Sequence, residues 1–195
     1  GIPTTEDKIV QGAVVEILNC IYEEDFLGFS YGSRPGRNAH QALQALQTAL
    51  QKGKVNWVAD ADISKFFDSI DHKELMKVIQ GRVSDRSLLR LIGKWLKAGA
   101  VEADGRRIRG QQGTPQGGAV SPLLENIFLH YVVDEYVHNW RKTRARGEVY
   151  IVRYMDDFVI ARQEEKDGTA GRIDPATGVA RVETERRENP SPSIR

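Results

Sequence analysis

Apolar positions in the first fifty residues recur at helical spacing. After Thr4-Thr5-Glu6-Asp7, which supplies a capping hydroxyl and acids for a first turn, Ile9, Val10, Ala13, Val14, Ile17, Leu18 and Ile21 mark an amphipathic helix. A Gly/Pro loop from Phe26 to Asn38 carries Arg34 and Arg37 among aromatics, and Asn38 is placed to cap a helix from Ala39 to about Lys52. The period then shifts to that of a strand: Val55, Trp57, Ala59, Ala61 and Ile63 fall on one face, Asp60 and Asp62 on the other. Asp71-His72-Lys73-Glu74 has an N-cap followed by a third-position glutamate, opening a helix with Leu75, Met76 and Ile79; Asp68 and Asp71 are read as structural. Ser84-Asp85-Arg86 starts another helix, with Leu88, Leu89, Leu91, Ile92, Trp95 and Leu96 inward and Gly99 placed to stop it. Val101 to Arg109 reads as a hairpin around Asp104-Gly105, whose arginines face nucleic acid or serve as a charged edge. Ser121-Pro122 reads as a cap with proline in the first turn, ahead of Leu123, Leu124, Ile127, Phe128 and Tyr131.

The stretch Val149 to Ala161 holds two apolar runs with Met155, Asp156 and Asp157 between them, the pattern of two antiparallel strands joined by a polar tip. Turns favour aspartate, so an Asp-Asp pair alone is most simply a polar turn. Neighbouring carboxylates nevertheless repel unless water or a cation compensates them, and a divalent metal is the natural compensator. Asp60 and Asp62 form a second acidic focus, and alternation does not choose between them. Between Gly113 and Gly118 three glycines surround Pro115-Gln116, so the backbone can approach a ligand closely. The Gly-Lys-Ser/Thr ending of a phosphate-binding loop is missing, which argues against a Walker-type NTPase. From Glu164 on, glycine, proline and mixed charge replace the periodicity, apart from a small hairpin near Asp174 to Gly178.

Composition narrows the classes. With 195 residues, 40% hydrophobic and 28% charged, the chain has room for one sizeable core or two small lobes. A net charge of +1 does not announce a nucleic-acid binder, so that argument rests on local clusters such as Arg141, Lys142, Arg144 and Arg146, for which a solvated connection is the alternative. No apolar run is long enough to span a bilayer, and the expectation is a cytoplasmic protein without a membrane partner. Cys20 is the single cysteine, which excludes an internal disulfide, and it is expected in the core. His40, His72, His130 and His138 lack close metal-ligand spacing and are read as structural or surface residues.

Three stretches, in order, resemble the motifs of reverse transcriptases. They are Asp62-Ile63-Ser64-Lys65-Phe66-Phe67-Asp68, Gly113-Thr114-Pro115-Gln116-Gly117-Gly118-Ala119-Val120-Ser121-Pro122, and Tyr154-Met155-Asp156-Asp157, the last being similar to the YxDD box. The resemblance is to the group II intron-encoded reverse transcriptase/maturase branch and covers about the first 165 residues. It implies an α+β polymerase palm, a small antiparallel sheet carrying both acidic foci and backed by helices, preceded by a mainly helical fingers segment. On that basis residues 1–54 are partial fingers, 55–165 are palm with interleaved fingers elements, and 166–195 are an atypical flexible tail.

The implied activity is RNA-directed DNA synthesis, with a dNTP joined to a DNA primer 3′-hydroxyl on an RNA template by a two-metal mechanism. Mg²⁺, or Mn²⁺ in its place, would be held by Asp62, Asp156 and Asp157, the resemblance selecting Asp62 over Asp60. Ile63, Phe66, Gln116, Gly117, Tyr154 and Met155 would border the nucleotide, with Phe66 under the sugar excluding a 2′-hydroxyl. The loop before Asn38 resembles the family's GFRPGR element, which implies template contact for Arg34 and Arg37; Ser33 stands where the family has an aromatic. Gly1-Ile2-Pro3-Thr4 resembles the middle of a family motif, so the fingers-tip lysine and arginine are expected outside this sequence. Intron RNA is an implied further partner. Two alternatives are an RNA-binding, splicing-assisting module and an inactive fragment without a thumb.

Overall fold

The computed structural model describes residues 4–62, 70–98, 100–101, 107–108, 113, 118–163 and 182–185, with backbone placement alone at 61–62, 100–101, 107–108 and 182–185. The chain divides into two compact units, one of Gly1–Leu27, Ser33–Gly36 and Lys65–Asp134, the other of Gly28–Gly32, Arg37–Ser64 and Glu135–Arg195.

The first unit is helical. Helix α1 (Thr5–Tyr22) opens where Thr4 Oγ1 accepts from the Asp7 amide at 3.2 Å, satisfying one of the donors a helix start leaves free. It buries Gln11, Val14, Leu18 and Tyr22, while Ile9, Val10 and Ile17 are exposed. Cys20 is exposed as well, contrary to the core expectation: two residues beyond Leu18 is about 200° around the helix, away from the buried stripe. Helices α3 (His72–Gln80) and α4 (Arg86–Ala98) start at carboxylate caps, Asp71 accepting from the amides of Lys73 and Glu74 and Asp85 from those of Ser87 and Leu88. Strands β2 (Ala100–Val101) and β3 (Arg107–Ile108) pair antiparallel, as the Asp104-Gly105 signal predicts.

Helix α5 (Ser121–Leu129) is buried nearly all round. Ser121 is its first residue rather than its cap; Val120 precedes it without a side-chain cap, and the Val120 amide donates instead to Gln11 Oε1 of α1 at 3.4 Å. The helix then widens into a π-helical turn, His130–Asp134, where His130 and Tyr131 pack with Tyr22 and Phe26.

The second unit is a sheet with helices. Helix α2 (Ala39–Lys52) opens with a capping box between Asn38 and Gln41 and packs on the strand Val149–Tyr154. Helix α6 (Glu135–Thr143) carries Arg141 and Lys142 in its last turn, where the sequence reading had a connection. Strands β1 (Trp57–Asp62), β4 (Val149–Tyr154), β5 (Asp157–Arg162) and β6 (Val182–Glu185) form one sheet in the order β4-β5-β1-β6, each pair antiparallel. Ala59, Ile151, Val152, Phe158, Ile160 and Ala161 are its buried apolar positions and Asp60 is exposed, consistent with the alternation in β1. Strand β6 lies inside the stretch expected to be a flexible tail: Val-Glu-Thr-Glu suits an edge strand, with charge discouraging further pairing. The small hairpin expected near Asp174 lies outside the described residues.

Candidate metal centre at the hairpin tip

Two registers define the site. In the β4–β5 hairpin Tyr154 pairs with Asp157, leaving Met155 and Asp156 as the connection. In the β1–β5 pair Asp62 stands opposite Asp157. Opposed positions on antiparallel strands have Cα atoms about 4.5–5.5 Å apart. The two acidic stretches, far apart in the chain, therefore end at the same edge of one sheet. Asp60, two positions further in, faces Val159 on one side and Glu183 on the other.

The tip meets solvent. Asp157 and Tyr154 are exposed, while Met155 and Asp156 are half-buried. Met155 has φ 56°, the left-handed region that non-glycine residues seldom adopt, so the connection is held by its surroundings. Those surroundings are packed tightly: an added Cβ at the buried Gly32 would lie 2.5 Å from the Met155 amide nitrogen. Arg153, just before the tip, is 1% exposed and donates to the Met155 carbonyl at 2.8 Å and to Ser30 Oγ at 2.7 Å. Sequence reasoning missed Arg153 and Gly32. The available signal was an arginine inside an otherwise apolar strand, where burial demands partners.

The donor set suits a hard cation. Carboxylate oxygens are what Mg²⁺, Mn²⁺ and Ca²⁺ prefer, and unit charges about 5 Å apart repel by roughly 3 kcal/mol at an effective dielectric near 20. A bound divalent ion turns that repulsion into attraction. Among the described residues no group of three metal-ligating side chains is gathered; Asp62 is placed opposite Asp157 by its backbone register.

The other expected site residues separate. Ile63, Phe66, Gln116 and Gly117 lie outside the described residues. Arg34, expected to contact the template, is 8% exposed, its guanidinium paired with Glu23 at 2.9 Å, bonded to the Leu27 carbonyl and stacked over Phe26. Arg37 has the other fate. It stays half-exposed over the Tyr31 ring, 5.1 Å to the centroid, and lines a groove of about 590 Å³ with Gln44, Lys52 and Tyr150. No helix among the described residues is long and apolar enough to cross a membrane.

The chain is 34% identical to Protein YkfC of Escherichia coli over 189 residues, covering 82% of this chain and 49% of that protein. It is 43% identical to the group II intron-encoded protein LtrA of Lactococcus lactis over 137 residues, 70% of this chain and 22% of that one. The chain thus spans half or less of the length of these curated relatives. Its fold matches the solved structure of apo telomerase from Candida tropicalis truncated from its C-terminal domain, with a TM-score of 0.60 at 16% identity, over 93% of this chain and 41% of that one. Since the reverse transcriptase (RNA-dependent DNA polymerase) profile matches residues 1–181, the chain belongs to that family, and its α+β sheet with the aspartate hairpin is a polymerase palm.

Proposed function

We propose that the protein is the catalytic core of an RNA-directed DNA polymerase of the group II intron type, extending a DNA primer with dNTPs on an RNA template. The observation that carries this is the register that sets Asp62 against Asp157 beside the Asp156 tip. Reverse transcriptases use divalent metal ions, and Mg²⁺ fits an all-oxygen site that keeps room for substrate phosphates. Asp62 and Asp156 are the main ligands, and Asp157 is the third. Bound there, the metal would activate the primer hydroxyl and stabilise charge on the phosphates.

The chain's own residues supply placement. The register sets the backbone of Asp62 beside that of Asp157 at one sheet edge, which supports a fixed placement of attacker and leaving group. Exposed Tyr154 and half-buried Met155 border the nucleotide, and Arg37 with Lys52 supports a phosphate backbone along the groove. Template RNA, primer DNA and dNTP are the partners of this reading. Primer extension on RNA should require Mg²⁺, with Mn²⁺ as substitute, and Asp156→Ala should abolish it while leaving the fold intact; undiminished extension by that variant contradicts the proposal.

The groove favours a second reading, in which the protein binds intron RNA and assists splicing. Arg37→Ala would then weaken intron RNA binding while Asp156→Ala leaves it unchanged, and extension by wild-type protein would be absent.

A further inference from the structure

Arg153 is the largest fully buried side chain among the described residues. An apolar residue would fill a strand interior at lower cost than a guanidinium, whose burial is tolerated only with well-placed acceptors. Here the acceptors are informative. Nη1 reaches the carbonyl of Met155, the residue held at φ 56°, and Nη2 reaches Oγ of Ser30, itself fully buried. The backbone completes the brace, for the Arg153 amide donates to Phe29 at 2.9 Å and the Tyr31 amide donates to Arg153 at 2.9 Å, a parallel bridge at Ser30. One residue further, Gly32 lies against Met155.

The brace thus grips the connection from beneath, immediately before Asp156. Asp156 and Asp157 are adjacent carboxylates, which repel, and a loose tip relieves that repulsion by opening. The guanidinium holds the Met155 carbonyl, one residue before Asp156, and so opposes the opening; its charge by itself repels a metal ion, so its contribution lies in placement and not in charge. We infer that Arg153, acting through the Met155 carbonyl and Ser30, is a positioning residue that sets the aspartates of the hairpin for divalent cations. This rests on the polymerase reading of the same site.

The test is Mn²⁺ titration followed by electron paramagnetic resonance, on protein with a primer–template, for wild type, Arg153→Gln, Arg153→Lys and Ser30→Ala. Groups that orient metal ligands typically change affinity 10- to 100-fold, so Arg153→Gln should raise half-saturation about tenfold or more. The KM for dNTP should stay within about threefold, since no nucleotide contact is removed. Arg153→Lys, keeping charge without the two-point fork, should fall between, and Ser30→Ala should shift half-saturation about threefold, the loss of one hydrogen bond. A folded Arg153→Gln that binds Mn²⁺ at the wild-type concentration, whatever its melting temperature, overturns the inference. If that variant does not fold, an unchanged titration in Ser30→Ala overturns it. The titration judges Arg153 whether or not primer is extended, so wild-type protein that binds Mn²⁺ without extending primer contradicts the polymerase reading alone.

Discussion

Substituting Gly32 by alanine asks whether the hairpin tip is set by packing. The added Cβ would lie 2.5 Å from the Met155 amide nitrogen, 2.7 Å from its Cγ and 3.0 Å from its Sδ. The Met155 side chain can rotate away from this contact. Its backbone nitrogen cannot, and ordinary contact begins at 3.4 Å, so the two segments must part by about 0.9 Å. Overpacking of this kind costs about 1–3 kcal/mol, and at this chain length each kcal/mol lowers the melting temperature by about 2–4 °C. The functional cost is larger. The shift occurs at the residue before Asp156, and a misplacement of about 1 Å at a reacting centre costs on the order of 10²-fold in rate. Single-turnover extension of a labelled primer on RNA should therefore fall about 100-fold, with a melting temperature only modestly lower. Gly28→Ala is the control in the same loop, where an added Cβ meets nothing within 4 Å and no effect is expected. Extension by Gly32→Ala within twofold of wild type would refute the reasoning, since the tip would then tolerate displacement.

Arg34 and Arg37 should behave oppositely. Arg34→Met removes the partner of Glu23 and should cost about 2–4 kcal/mol of stability, with RNA affinity of the folded protein unchanged. Arg37→Ala should leave melting unchanged, weaken RNA binding and lower the salt slope by about one; weakened RNA binding in Arg34→Met at unchanged melting temperature would reverse the assignment. Tyr22 offers a pH test. Burial, then Tyr131 and Asp25, raises its phenol, so the protonated form is favoured in the fold. That contribution is complete below about pH 10 and is lost as pH rises from there towards the folded value. Between pH 9 and 11 the melting temperature of wild type should fall more steeply than that of Tyr22→Phe, and parallel curves would contradict this.

Local chemistry was legible in the sequence. The caps at Thr4, Asn38 and Asp71 announce themselves within three residues of the amides they satisfy, and Asp85 does the same for α4. Alternation placed strand β1 and the hairpin, but register is a property of the folded sheet, so the pairing of Asp62 with Asp157 had to be observed. Readings failed at individual residues. Ser121 looked like a cap, yet the helix begins on Ser121 itself, and Val120 before it offers no side-chain cap. Arg34 and Arg37 share a loop and a charge, and the proximity of Glu23 to only one of them decides which is buried. Arg153 stood out as an arginine in an apolar strand, but its hydroxyl partner, 123 positions away, could not be read from the sequence.

Iron substitution tests the shared metal most directly. Fe²⁺ bound in place of Mg²⁺, with ascorbate and peroxide, generates radicals that cut the backbone beside the ion. Wild-type protein should be cleaved at two separate places, near the end of β1 at Asp62 and at the Tyr154 to Asp157 tip, with excess Mg²⁺ suppressing both and Asp62→Asn diminishing both together. Cleavage confined to one of the two stretches, or cuts at the tip that persist undiminished in Asp62→Asn, would show that the three aspartates do not hold a common metal.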